Sequence, residues 1–64
     1  MIKLTRINGD EFILNSELIK FIEETPDTII TLINQEKLIV EENSDEIIHR
    51  IIEFRRTMRL FPEY

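Results

Sequence analysis

The chain has 64 residues, a formal net charge of −5 and no cysteine. That length holds one domain with one core; the charge opposes a general phosphate-binding surface, and the missing thiols exclude disulfides and thiolate metal sites. Thirteen Ile, six Leu and one Val make up almost a third of the sequence, while alanine and tryptophan are absent.

The first forty residues read as short strands separated by turn chemistry. Ile2 to Arg6 and Glu11 to Asn15 flank Asn8-Gly9. Asn-Gly between apolar runs signals a β-hairpin, and a type I′ turn with positive φ at both central residues is expected there. Leu18 to Glu23 reads as a third strand, ended by Thr25-Pro26-Asp27. Proline has no donor for a ladder and holds its predecessor extended. Thr28 to Ile33 and Lys37 to Glu41 form a second hairpin across Asn34-Gln35-Glu36, a loop without glycine.

The period then changes. Ile47, Ile48, Ile51, Ile52, Phe54 and Met58 recur at spacings of three and four, which predicts an amphipathic helix over about residues 44–60. Asn43 followed by Glu46 is a capping pair, and Asp45 and Glu46 complement the positive end of the helix dipole. Arg55, Arg56 and Arg59 complement the other end, and Pro62 stops the helix, leaving residues 61–64 as a short tail. The expected architecture is one α+β domain over residues 1–64. It comprises a small antiparallel sheet or partly open barrel of four to five short strands within residues 2–41, followed by one C-terminal amphipathic helix.

Catalysis finds no support. Ser16 and Ser44 sit in turn or cap contexts, where hydroxyls satisfy backbone groups. His49 lies outside the apolar arc of the helix and has no evident catalytic partner. Glu41, Glu42, Asp45 and Glu46 lack the spacing and glycine of a calcium loop, and the solitary Gly9 cannot form a glycine-rich phosphate cradle. No catalytic, cofactor or metal residue is assigned. No apolar run approaches the ~18 residues that span a bilayer, and the N-terminus lacks the apolar centre of a signal peptide, so a cytoplasmic location without membrane insertion is expected.

The apolar faces carry more information. Burial in so small a domain contributes about 100 kcal/mol, and ordering the chain costs about the same, so a monomer is marginal. Without disulfides or a plausible zinc ligand set, oligomerisation is the remaining escape. Phe12-Ile13-Leu14, Ile29-Ile30 and Leu38-Ile39-Val40 place aliphatic groups on both faces of their strands, as in a sheet covered on both sides. The helix stripe is wider than an ordinary surface helix needs. A homo-oligomer is therefore expected, with Ile30, Leu32, Ile48, Ile51, Ile52 and Arg55 as self-association candidates. Arg55 falls inside the apolar arc, where it either lays its stem on the apolar surface with its head in water or pairs across subunits with Glu41 or Glu42. The basic cluster that includes Arg50, Arg56 and Arg59 either complements the dipole or docks an acidic partner; the acidic remainder of the domain opposes nucleic acid.

The punctuating residues also carry a resemblance. Ile2-Lys3-Leu4-Thr5-Arg6-Ile7-Asn8-Gly9, Phe12-Ile13-Leu14-Asn15, Leu18-Ile19 and Glu24-Thr25-Pro26-Asp27-Thr28-Ile29-Ile30-Thr31-Leu32 resemble the FlbD family, also called SwrD, of small bacterial flagellar proteins. The similarity runs from the N-terminus to about Phe54. It implies a cytoplasmic accessory protein of flagellar motility, linked to swarming and motor power through the stator units or another flagellar component, with no catalytic or cofactor residues. The family often has Asn-Gly where this chain has Asn34-Gln35, and residues 58–64 fall outside the pattern. A small Sm-like or SH3-like barrel that binds RNA or peptide is the alternative that the short strands permit.

Overall fold

A computed structural model describes residues 1–60, with side chains up to Met58. The Arg59 side chain and the tail at 61–64 lie outside the described residues. The fold is α+β. Strands β1 (Ile2–Thr5) and β2 (Glu11–Leu14) form one antiparallel sheet; β3 (Ile19–Glu24), β4 (Thr28–Leu32) and β5 (Lys37–Val40) form another, and helix α1 (Ser44–Leu60) follows.

The two sheets are stitched together where β1 ends. A bridge pairs Arg6 with Val40, the Ile7 N–H donates to the Ile39 carbonyl at 3.1 Å, and the Glu41 N–H donates to the Thr5 carbonyl at 2.8 Å. The spatial order is therefore β2, β1, β5, β4, β3, with α1 packed against β1 and β3.

Alternation along the strands selects the core. Side chains two apart share a face, so Ile2 and Leu4 of β1, and Leu38 and Val40 of β5, point inward with Leu14, Ile30 and Leu32. Ile47 of α1 completes this cluster with no exposed surface, and Phe12, Ile19, Ile22, Ile51 and Phe54 pack around it. Ile30 and Leu32 are thus internal to the chain. They cannot present a surface to a second copy, which removes them from the self-association candidates: both lie on β4, between β3 and β5, on the face that the core covers.

Both hairpins turn the same way, and not as a type I′ turn. In the first, the Gly9 N–H donates to the Arg6 carbonyl at 2.8 Å and the Arg6 N–H to the Asp10 carbonyl at 2.7 Å. In the second, the Gln35 N–H donates to Leu32 at 2.9 Å and the Leu32 N–H to Glu36 at 2.8 Å. In each, an asparagine carboxamide, Asn8 or Asn34, accepts from the N–H two residues on at 3.0 Å. Positive φ falls only on the residue after the asparagine, +97° at Gly9 and 75° at Gln35. This is the three-residue hairpin closed by a left-handed residue in a G1 bulge. Gln35 therefore occupies a backbone position made for glycine. Gln35→Gly is expected to stabilise the fold by about 0.5–1 kcal/mol, read as a raised urea midpoint.

Residues Ser16–Leu18 form a 3-10 turn in place of the first residue expected of β3, and the Asn15 carboxamide opens that turn by accepting from the Glu17 N–H at 3.0 Å. The pairing of β3 with β4 slips between Ile19 and Phe21, leaving a bulge around Lys20 at the edge of the sheet. Thr31, on β4 between β3 and β5, is 2% exposed and its hydroxyl has no hydrogen-bond partner. A buried hydroxyl without a partner costs stability. Thr31→Val keeps the shape and removes that hydroxyl, and is expected to raise stability by about 1 kcal/mol in thermal unfolding.

The helix starts as its capping pair implies. The Asn43 carboxamide accepts from the Glu46 N–H at 2.8 Å, and the Asn43 carbonyl accepts from Ile47 at 3.1 Å. Glu24, at the end of β3, reinforces this start by accepting from both the Ser44 N–H at 2.9 Å and the Ser44 hydroxyl at 2.8 Å. The hydrogen bonds from the Ser44 backbone and side chain hold the Glu24 carboxyl below its ordinary value, outweighing desolvation.

Candidate functional site

Helix α1 presents two contrasting faces. Ile47, Ile51 and Phe54 seat it on the sheets, while Ile48 and Ile52, one residue further round, are 48% and 51% exposed. The buried stripe is thus narrower than the apolar pattern suggests, and the surplus isoleucines face outward. The sheets show the same surplus. Ile39 lies opposite Ile29, the Ile7 backbone is bonded to that of Ile39, and Phe21 lies on the neighbouring strand; Ile7, Ile39 and Phe21 are all exposed. Ile13, paired with Lys3, is 61% exposed on the separate β1–β2 sheet. Exposed large apolar side chains in this number point to interaction surfaces.

On its other side α1 is fastened to β1 by a polar clasp. β5 reaches β1 only at its end, and backbone groups earlier in β1 take side-chain partners. Glu42 accepts from the Thr5 N–H at 3.0 Å and from the Thr5 hydroxyl at 2.9 Å. Arg50 donates to the Lys3 carbonyl at 2.6 Å, to Glu42 at 3.2 Å and to Glu46 at 2.9 Å. Desolvation is the largest single influence on the Glu42 carboxyl and pushes it up. The hydrogen bonds from the Thr5 and Glu42 backbones and the Thr5 hydroxyl, with the Arg50 charge, together outweigh it and leave the group below its ordinary value. The Arg50 guanidinium is pushed up, first by its hydrogen bond to Glu46, against desolvation, and further by the charges of Glu42 and Glu46 and its hydrogen bond to Glu42.

The clasp reassigns one arginine. Arg50 serves the fold, so it is not a free docking residue. Glu42 is occupied by Thr5 and Arg50, and Arg55 meets neither Glu41 nor Glu42 within the chain; it donates to Glu17 at 3.4 Å, with both side chains largely in water. Arg56 pairs with Glu53 at 3.1 Å on the exposed surface. Such exposed pairs contribute little to stability. The sequence reading missed Thr5 and Lys3 as clasp members, because the Lys3 carbonyl and the Thr5 N–H are backbone groups that residue type does not announce, and the Thr5 hydroxyl meets a carboxylate 37 residues away in the chain.

A shallow cleft beside the clasp is lined by Met1, Lys3, Glu11, His49, Arg50 and Glu53, among others. Among the described residues no group of three or more His, Asp or Glu is placed to hold a metal ion.

The apolar surplus and the clasp sit on a chain whose residues 1–59 match the family model FlbD, described as flagellar and swarming motility proteins. The chain belongs to the FlbD family. No curated protein and no solved structure matches it. The FlbD match spans every strand and all of α1 except its last residue, Leu60. Gln35, which stands where the family often has glycine, keeps the same turn geometry as Gly9. Among the described residues no helix is long and apolar enough to cross a membrane.

Proposed function

We propose that this FlbD protein is a non-enzymatic accessory of flagellar and swarming motility that works in the cytoplasm, peripheral to the flagellar base, as a homo-oligomer in contact with the motor stator or another flagellar component. Membership of a motility family over residues 1–59 carries the reading. The exposed isoleucines supply the surface for protein contacts: Ile48 and Ile52 on α1, Ile7 and Ile39 on the sheet. Arg56 and Arg59 remain candidates for docking an acidic partner.

A deletion strain assayed on swarm agar, with light scattering of the purified chain, tests this. Lost swarming restored by the wild-type gene, together with a mass above that of one chain, is the expected result. Normal swarming on deletion and a stable monomer would defeat it.

A further inference from the structure

The exposed ridge of α1 has an ordered charge pattern. Asp45, Ile48, Ile52 and Arg56 follow one another at spacings of three, four and four, and all four are exposed. Asp45 and Arg56 are eleven residues apart, about three turns, and so lie on nearly the same line along the helix. The ridge therefore runs from an acid at the N-terminal end, through two isoleucines, to a base at the C-terminal end. A surface of this kind is self-complementary when reversed.

We infer that two copies of this chain associate through antiparallel packing of α1 on α1 about a two-fold axis near position 50. This inference rests on the homo-oligomeric reading above and names its surface. A two-fold contact uses the same patch on both copies. Reversal about position 50 sets each Ile48 against Ile52 of the second copy, and each Asp45 beside Arg56 of the second copy, one ion pair at each end of an apolar centre. Arg55 stays on the flank with Glu17.

One alternative route, strand pairing along the outer edge of β3, is blunted. That edge carries the bulge at Lys20 and the charges of Glu23 and Glu24, devices that discourage edge-to-edge pairing. The helix ridge has no such obstruction.

Sedimentation equilibrium over a concentration series tests the geometry, with circular dichroism to check that each variant is folded. The wild type is expected to approach twice the 7.7 kDa chain mass at high concentration. Asp45→Arg and Arg56→Asp, alone, are each expected to weaken dimerisation about tenfold by placing like charges together. The two changes combined restore the attraction with its sign reversed, and recovery to within about threefold of wild type is expected. Ile48→Asp is expected to abolish the dimer. Association that is indifferent to the single charge changes, or that the double change fails to recover, overturns this interface while leaving the oligomer standing. A wild-type chain that stays monomeric throughout overturns both, and leaves the ridge to a different protein.

Discussion

Ile47→Ala is expected to destabilise the fold by about 3 kcal/mol, the usual cost of emptying a fully buried aliphatic site. Ile47 is the helix residue with no exposed surface, set among Leu4, Ile30 and Val40. Its loss opens a cavity where α1 meets the sheets, and the sheets of so small a domain have little surplus stability to absorb it. In thermal unfolding the midpoint is expected to fall by about 12–24 °C. Ile48→Ala, one position along, is expected to cost under about 1 kcal/mol, since that side chain is half in water already. Equal losses at the two positions would show that α1 is seated on a different face.

Removing the Glu42 carboxylate is the second large effect. Glu42→Ala leaves the Thr5 N–H without its acceptor and takes one carboxylate from Arg50. The expected cost is about 2 kcal/mol at neutral pH, read from urea unfolding, because a charge-assisted hydrogen-bonded group at a site only 9% exposed is lost. The pH dependence has a definite sign. The folded-state carboxyl sits below the ordinary value of 4.5, so its contribution is complete above that pH and is lost as the pH falls through the lowered value. Wild type and Glu42→Ala are therefore expected to converge in stability in acid. Glu24 acts in the same direction through Ser44, so the variant retains some acid sensitivity. A constant gap between the two proteins from pH 7 to pH 3 would remove Glu42 from the clasp.

Much of the architecture was legible in the sequence, because local chemistry and fold agree. Asn-Gly marked the first hairpin, Thr-Pro-Asp the break after β3, and Asn43 with Glu46 the start of α1. The misreadings share a cause: they depend on tertiary partners. Asn8-Gly9 specifies a turn, but flanking pairing decides which turn, and positive φ falls on Gly9 alone instead of on both residues. Ile30 reads as half of a two-sided strand, yet β4 lies between two other strands and turns it into the core. The helix periodicity showed the apolar residues of α1 but not how few the sheets would cover, since that depends on the angle at which α1 meets β1 and β3. Arg50 was indistinguishable from Arg56 until Lys3 and Glu42 were brought beside it. The surplus of exposed isoleucine was legible from composition alone, and the structure gives it addresses.

The bond from Arg50 to the carbonyl of Lys3 makes the two ends of that contact unequal under mutation. A main-chain acceptor is supplied by any residue, so position 3 is free to drift among side chains that suit a strand without loosening α1. Position 50 has no such freedom, because only a long side chain with several donors reaches the carbonyl and both carboxylates at once. Substitutions accumulating in this protein are therefore expected to pass through Lys3 far more readily than through Arg50, although the two residues share one hydrogen bond.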